Sequence, residues 1–347
     1  MTGLCVHHEN PNFKLIREAG IRWCRLHVPY PWLDKVGGQY DPAFLTAIGE
    51  IVLYRRQGFQ PLVTTPALGS MHYDDAAGDT VWHPGYPAWM GTPADDDFHK
   101  ALEAGILEIV RMTEGLVSWW QLGNEPDFGV FIGPTSREDN VRFNRTMAMA
   151  FHRAAPDAHI GINLAGVAGE HITDYALWLT EELYRRQNLP YTYLGLDGYF
   201  GCWQPGGPQN WVDYIDRMHA LSGKPILINE WGFSTIYHAP FERDPERKLY
   251  YNNENCRAKT WQNRWDGQEH SPALQAEFIR QTLTIFADHP ACIGNFFFRW
   301  ADSQPCWQCG EHDCPTETHW GITDIDQNPL PGYWALQAGN RQLFGME

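Results

Sequence analysis

Two glutamates have the residue type and surroundings that acid–base and nucleophilic chemistry require. Glu125 lies in the tripeptide Asn124-Glu125-Pro126, shortly after the apolar run at residues 117–120, and Glu230 follows Asn229 at the end of another apolar run. A carboxylate just beyond a buried strand can be held close to a substrate, where it can transfer a proton or attack an electrophilic carbon. Taken alone, Glu125 could equally be a solvated surface residue, and Glu230 could form a salt bridge at a rim.

The elements that must position these glutamates alternate between short β-rich runs and segments of helical period. The predicted strands are residues 3–7, 21–28, 61–65, a run beginning at 117, 160–164, 194–199, 225–230 and 293–298. The predicted helices are residues 12–19, 43–57, 96–113, 138–154, 177–183, 211–218, 272–286 and 333–341. Eight strand–helix pairs in 347 residues predict an α/β fold, a single (β/α)8 TIM barrel that spans residues 1–347 as one domain.

Long connections are expected at three places in this barrel. They follow strand three (residues 66–95), strand seven (residues 231–270) and strand eight, where the loop contains several cysteines. No Gly-x-Gly-x-x-Gly motif follows the first strand, which argues against an open dinucleotide-binding sheet.

A barrel gives the two glutamates a common location. The carboxyl ends of all eight strands meet at one mouth, and strands four and seven lie on opposite sides of the ring. Glu125 and Glu230 are therefore expected to face each other across that mouth. Two carboxyl groups about 5 Å apart suit cleavage of a glycosidic bond, because one attacks the anomeric carbon while the other protonates the leaving oxygen.

In these residues and their order the chain resembles the clan A glycoside hydrolases, which are retaining enzymes with a TIM barrel. The resemblance rests on Asn124-Glu125-Pro126 and on Ile228-Asn229-Glu230-Trp231-Gly232. It implies that Glu125 is the acid/base and Glu230 the nucleophile, in a double displacement through a covalent glycosyl-enzyme intermediate. It also implies roles in substrate binding, or in support of the nucleophile, for Arg25, Asn124, Tyr199 and Trp300. His27 departs from the pattern of the clan and is a further candidate for substrate binding.

The alternatives for these supporting residues are structural. Arg25 could form an ordinary ion pair of the barrel, and Tyr199 and Trp300 could be rim aromatics. His7 and His8 could bind sugar hydroxyls or only line the end of the first strand.

Composition narrows the class of ligand and the cellular setting. The formal charge is −16, which argues against a nucleic-acid partner and favours a neutral or cationic substrate. The 16 Trp, 15 Tyr and 17 Phe provide apolar rings that suit the faces of sugars. No apolar run approaches the roughly 20 residues that cross a bilayer, so we expect a soluble protein without a membrane partner. We expect it in the cytoplasm, or secreted if a leader has been removed.

Cysteines in the loop after strand eight form a candidate metal site. Cys306, Cys309 and Cys314 lie within nine residues, and Cys256 is available in the loop after strand seven. Four thiolates suit a structural zinc ion, and a similar cluster occurs in some clan A beta-galactosidases. A disulfide and free reduced thiols are the alternatives, and Cys202 or His312 could replace Cys256.

Two other functions compete with glycoside hydrolysis. One is a metal-dependent barrel hydrolase, suggested by 15 His, and the other is a carbohydrate-binding barrel without catalysis. The presence of both glutamates favours the hydrolase, for which no cofactor is expected to be required in catalysis.

Overall fold

The computed structural model describes residues 1–74, 76–169, 171–236, 254–312 and 314–345. Within these ranges, eight parallel strands form the central sheet. They are β1 (Thr2–Cys5), β2 (Trp23–His27), β3 (Gln60–Thr64), β4 (Trp119–Gln121), β5 (His159–Gly161 and Asn163–Leu164), β6 (Leu194–Gly198), β7 (Ile226–Trp231) and β8 (Cys292–Phe297). The predicted α/β barrel is confirmed, with small shifts at the ends of the strands.

A helix separates each strand from the next, and another follows the last strand. These helices are α1 (Phe13–Glu18), α2 (Pro42–Arg56), α3 (Asp96–Met112), α4 (Arg137–Ala154), α5 (Asp174–Thr180, continued by a π-helical turn at Glu181–Arg186), α6 (Asn210–Ser222), α7 (Pro272–Asp288) and α8 (Pro331–Phe344). Side-chain caps fix several starts: Asp41 accepts the N–H of Ala43, and Ser271 accepts the N–H of Leu274. None of the described helices is both long enough and apolar enough to cross a bilayer.

β5 closes the ring because its two halves pair with different neighbours. Its first half pairs with β4 and its second half with β6. At the break between them, the N–H of Gly195 donates to the carbonyl of Ile162 at 2.7 Å. The two ends of the hydrogen-bonded sheet are thus two parts of one strand.

A small apolar cluster fills the interior of the ring. Residues in register on neighbouring strands face the same side, and Cys5, Arg25 and Leu62 are in register. Because Arg25 reaches across the ring to Glu230, this side is the interior. Packing there is close at Gly3, where a Cβ would lie 2.3 Å from the ring of Phe296. The larger part of the apolar core lies outside the ring, under the helices.

The connections at the carboxyl ends contain more regular structure than the predicted loops. The segment after β3 is the predicted long connection, and it contains an antiparallel hairpin, Gly69–Asp74 with Asp79–Pro84, which the sequence did not indicate. The short helices are Gly129–Ile132, Glu254–Ala258 and Pro315–Thr318, with 3-10 turns at Ala88–Met90 and Trp265–Gly267 and a small strand pair at Val167–Ala168 and His171–Ile172. Residues 237–253 of the predicted loop after β7 lie outside the described residues.

The hairpin after β3 packs against the segment after β8. The N–H of Tyr73 donates to the carbonyl of Trp307 at 2.6 Å, and the hydroxyl of Thr80 donates to the carbonyl of Gln308 at 2.8 Å. These bonds join two walls of the barrel mouth.

Candidate active site

Glu125 and Glu230 open into one cavity of about 600 Å³ at the carboxyl ends of the strands. Glu125 follows β4, and Glu230 is the penultimate residue of β7. Both positions follow from the parallel barrel, in which every strand delivers its last residues to the same mouth. The two glutamates that the sequence singled out are therefore brought together.

Both carboxylate oxygens of Glu230 have partners. Nη1 of Arg25 donates to Oε1 at 2.5 Å, and the hydroxyl of Tyr199 donates to Oε2. Burial raises the pKa of Tyr199, so this hydroxyl keeps its proton and remains a donor. These two bonds fix the orientation of the Glu230 carboxylate, which lines the cavity.

Arg25 joins Glu230 to the loop that carries Glu125. Its guanidinium is 1% exposed, and its Nε donates to Oε1 of Gln121 at 2.8 Å. Its Nη2 donates to Oδ1 of Asn124 at 2.7 Å. A planar guanidinium with several fixed donors can hold all three acceptors at once, which an ammonium group cannot do.

Asn124 is oriented by this network. Its Oδ1 accepts from Arg25, from Gln121 at 3.0 Å and from Asn163 at 3.0 Å. Because three donors occupy the oxygen, Nδ2 must point away from them. Asn124 lines the cavity, so this amide group can donate to a ligand.

Gln121 and Asn163 complete the floor of the site, and no pattern in the sequence singles out either residue. Nε2 of Gln121 donates to Oδ1 of Asn163 at 2.8 Å, and Oε1 of Gln121 accepts from Asn229 at 2.7 Å. The side chains of Gln121, Asn163 and Asn229 are fully buried. Their mutual bonds meet the requirement that polar groups inside a barrel be satisfied.

Glu125 lies in a constrained backbone conformation. Its φ is 40°, in the left-handed region that a residue with a Cβ rarely adopts. Its N–H donates to Oδ1 of Asn163 at 3.1 Å, which helps to hold this geometry. Strain of this kind persists where the surrounding structure imposes it, and it is concentrated at functional sites.

The surroundings of Glu125 favour its protonated form. Burial raises the pKa of its carboxyl well above the ordinary value, and the negative charges of Asp197, Glu230 and Asp127 raise it further. Glu230, by contrast, is paired with Arg25. Two carboxyl groups in one cavity thus have opposite environments, the arrangement that separates an acid from a nucleophile.

Two further carboxyl groups lie beside Glu125. Asp197, within β6, is 1% exposed, and its Oδ2 accepts from Asn163 at 2.5 Å. Asp127 accepts the N–H groups of Ala165 and Gly166 at 3.0 and 2.8 Å, and burial raises its pKa to about 6. A charged residue inside the apolar run of β6 is the signal that could have identified Asp197.

Of the three histidines that the sequence singled out, His7 and His27 line the cavity and His8 does not. His7 and His27 line the cavity with ring centroids 5.3 Å apart, whereas Nδ1 of His8 accepts the N–H of Asn10 outside the cavity lining. Both histidines are exposed to the open cavity, but the protein atoms that surround them partly exclude water. This desolvation, with Arg25 nearby, lowers the pKa of His27 to about 3, and it also lowers the pKa of His7. Both imidazoles are therefore neutral at pH 7 and can exchange hydrogen bonds with hydroxyl groups.

The prediction of Trp300 as an aromatic platform is wrong. Its side chain is fully buried, its Nε1 donates to Oε1 of Gln327 at 2.9 Å, and it does not line the cavity. β8 ends at Phe297, so strand alternation does not extend to Trp300. Phe298 faces the cavity instead, with its ring centroid 5.8 Å from that of Tyr199.

Glu317 is another cavity residue that the sequence did not single out. It lies in the segment after β8, where Nε2 of Gln308 donates to its Oε1 at 2.9 Å. Burial raises the pKa of Glu317 to about 8. Trp203, Trp307 and Trp320 form further aromatic walls of the cavity.

The four predicted metal ligands converge in a cluster of their own. The Sγ atoms of Cys256, Cys306, Cys309 and Cys314 all lie within 4.8 Å of one another, and all four side chains are buried. The Cys256–Cys314 and Cys256–Cys306 Sγ distances are 3.5 and 4.0 Å, too long for a disulfide and close to the separation of ligands around tetrahedral zinc.

The two alternative ligands lie outside the cysteine cluster. Cys202 packs near His270, at 3.8 Å between Sγ and Nδ1, and His312 lies near Gln304. Among the described residues, this cluster of four cysteines is the one set of ligand atoms close enough together that it could hold a metal ion.

Comparison with solved structures places this geometry in a known fold. The chain is similar to a family 39 glycoside hydrolase from the gut symbiont Bacteroides cellulosilyticus WH2, with a TM-score of 0.65 and 15% identity over 99% of this chain and 63% of that one. It is similar to the family 53 glycoside hydrolase catalytic domain from Ignisphaera aggregans, with a TM-score of 0.63 and 19% identity over 96% and 90% of the two chains. The chain has the barrel fold of clan A glycoside hydrolases.

A third solved structure extends the comparison. The family 1 beta-glucosidase from Thermotoga maritima gives a TM-score of 0.61 and 14% identity over 94% of this chain and 85% of that one. The chain spans less than two thirds of the length of the family 39 enzyme. No protein-family model matches the sequence, and no curated protein matches it.

Proposed function

We propose that this chain is a retaining β-glycoside hydrolase with a single catalytic barrel domain, in which Glu125 is the acid/base and Glu230 the nucleophile. One observation carries the proposal: the two carboxyl groups share a cavity but have opposite surroundings. Glu230 is bound by Arg25 and Tyr199, whereas burial and neighbouring carboxylates favour a proton on Glu125. The shared fold with glycoside hydrolases supports this reading.

The first half-reaction forms a glycosyl-enzyme. An oxygen of Glu230 attacks the anomeric carbon while the bond from that carbon to the leaving oxygen breaks, and Glu125 gives its proton to that oxygen. In this step Arg25 and Tyr199 hold Glu230 in place. The Nδ2 donor of Asn124 lies next to Glu125 in sequence and opens to the cavity, where we place the sugar hydroxyl beside the anomeric carbon.

The second half-reaction releases the sugar. Glu125, now a carboxylate, removes a proton from water as the water oxygen attacks the anomeric carbon and the ester bond to Glu230 breaks. Both carboxyl groups return to their initial protonation states. Two displacements at one carbon give a product with the configuration of the substrate.

The lining of the cavity favours a neutral glycoside or oligosaccharide. Aromatic walls suit the apolar faces of sugar rings, and the neutral imidazoles of His7 and His27 suit hydroxyl groups. Among the described lining residues, Arg25 is the one permanent cation, and it already forms an ion pair with Glu230. The acidic lining residues are Glu125, Asp127, Asp197, Glu230 and Glu317. A uronate would therefore be repelled.

A panel of aryl β-glycosides, including a glucuronide, tests both substrate class and stereochemistry. We expect turnover of a neutral glycoside and at least about tenfold lower kcat/KM for the glucuronide, since like charges in a partly enclosed site cost about 1.4 kcal/mol or more. NMR of the first-formed sugar should show the β anomer. An initial α anomer would reject Glu230 as nucleophile, and absence of turnover across the panel would favour a carbohydrate-binding barrel.

We further propose that the four-cysteine cluster binds a structural zinc ion. The thiols are buried, are not joined in disulfides and converge as four ligands, a set that fits zinc and lacks an open position for substrate. Trp307 and Gln308, which line the cavity, lie between Cys306 and Cys309. Such an ion would hold this wall in place, while the carboxyl groups carry the reaction.

A further inference from the structure

A third carboxyl group, Asp197, lies deep in the site and has no part in the two displacement steps. It belongs to β6, next to β7, and pairs in register with Glu230. It is 1% exposed, yet it lines the cavity. Burial of a carboxyl group is costly unless a charge partner or hydrogen bonds compensate, so its contacts must account for its presence.

The contacts of Asp197 leave one of its oxygens without an ordinary donor. Oδ2 accepts from Nδ2 of Asn163 at 2.5 Å. Oδ1 is buried and receives no bond from an N–H or hydroxyl group of the described residues. The carboxyl groups of Asp197 and Glu125 are neighbours that can share a hydrogen bond, and Asn163 contacts both residues, since its Nδ2 donates to Asp197 and its Oδ1 accepts the N–H of Glu125. A bond between two carboxyl groups requires a proton on one of them.

We propose that Asp197 is a positioning residue that shares one proton with Glu125 in the resting enzyme and keeps Glu125 a strong base while Glu230 is glycosylated. The inference rests on the proposed function for its consequence in catalysis. The shared proton itself depends only on the contact between the two side chains.

The charge balance of the site supports one shared proton. Within the part of the chain that the structure describes, Glu125, Asp197 and Glu230 face one cation, Arg25, which bonds directly to Glu230. Full ionisation would leave two adjacent carboxylates without a cation of their own, and like charges in contact raise the affinity for a proton. The remaining groups that face the pair are Asp127, Cys5, Tyr193, Tyr199 and Tyr214.

Asp197 differs from Glu230 in what happens during turnover. When Glu230 forms the glycosyl ester its negative charge disappears, which by itself would make Glu125 a weaker base. Asp197 forms no ester, so its charge persists through both half-reactions. After Glu125 has given its proton to the leaving oxygen, the neighbouring Asp197 carboxylate favours recovery of a proton from the attacking water.

Asp197→Asn tests the inference, because the amide keeps the size and an acceptor for Asn163 but removes the charge. Infrared titration of the free enzyme should show the protonated carboxyl band of Glu125 disappearing at a pH lower by about 1 unit or more than in the wild type. Glu125→Gln assigns the band. Asp127→Asn is the matched control and should shift the band less, since Asp127 accepts backbone N–H groups and not a carboxyl proton.

Kinetics give a second readout. In Asp197→Asn the basic limb of the kcat/KM profile, which reports Glu125 as acid in the free enzyme, should move to lower pH by a similar amount. The acidic limb of the kcat profile, measured with an activated aryl glycoside whose deglycosylation limits turnover, reports Glu125 as base and should move in the same direction. Asp197→Ser serves if the amide variant does not fold, as judged by circular dichroism. Unchanged infrared and kinetic midpoints in a folded variant would overturn the inference. A shifted band in an enzyme that cleaves no glycoside would instead overturn the proposed function alone.

Discussion

Nη1 of Arg25 lies 2.5 Å from Oε1 of Glu230, which links the middle of β2 to the carboxyl end of β7 across the barrel. The same guanidinium contacts Asn124. The Arg25 side chain therefore holds both Glu230, the proposed nucleophile, and Asn124, the residue before Glu125.

Arg25→Lys is expected to lower kcat/KM by about 10²-fold, because an ammonium cannot keep every contact of the guanidinium and small displacements of reacting groups are costly. The thermal midpoint of unfolding should also fall. Arg56→Lys, an exposed change on α2, is the matched control for both measurements. Wild-type kinetics in folded Arg25→Lys would show that Glu230 does not depend on this contact.

Glu125 should lower the free energy of unfolding as the pH rises, whereas an ion-paired carboxylate with a lowered pKa raises it. Its pKa is raised above the 4.5 of an unperturbed glutamate, mainly by burial, so the folded state binds the proton more tightly than the unfolded state. The stabilisation is complete below the unfolded-state pKa of 4.5 and is lost as the pH rises through the folded-state pKa. The loss is about 1.4 kcal/mol for each pH unit between these two pKa values.

Glu125→Gln removes this titration, so the variant should gain stability relative to the wild type as the pH is raised from about 5 to 8. Denaturant unfolding at several pH values measures the difference. Glu277→Gln is the control, because hydrogen bonds from Gln281 and Arg280 lower the pKa of Glu277. This carboxyl is therefore ionised in both the folded and the unfolded state above about pH 5, and the stability difference for Glu277→Gln should not change between about pH 5 and 8. A difference for Glu125→Gln that does not change with pH would contradict a protonated Glu125.

The zinc proposal predicts about one zinc ion per chain in protein prepared without chelators. Cys309→Ser should lower that content, reduce the thermal midpoint and raise KM, since Trp307 and Gln308 lie beside this ligand. Cys292→Ser, at the start of β8, is the control and should keep the metal. Elemental analysis that finds no zinc while all four thiols remain reduced would remove the proposal.

The barrel and its two glutamates were predictable because local patterns encode them. Buried parallel strands are continuous apolar runs, helices repeat with a period near 3.6 residues, and Glu125 and Glu230 each follow such a run. The order of elements then fixes which strand ends meet at the mouth. No knowledge of long-range contacts is needed for that step.

The rest of the site depends on contacts that a linear pattern does not contain. Gln121, Asn163 and Asp197 lie in strands, and only the closed ring shows that their side chains meet. Trp300 was misplaced because β8 ends before it, and strand alternation cannot be extended past a strand end. Glu317 comes from a long connection, whose course is set by packing against other loops.

The most direct test of the two glutamate roles is azide rescue with an activated aryl β-glycoside. We predict that Glu230→Ala loses hydrolysis by about 10⁴-fold or more and that azide restores turnover, giving the α-glycosyl azide by direct displacement. Glu125→Ala should instead give the β-glycosyl azide, because azide intercepts the glycosyl-enzyme. Exposed Glu114→Ala should give neither product. Near wild-type hydrolysis by folded Glu230→Ala without azide would contradict the assignment of Glu230 as nucleophile.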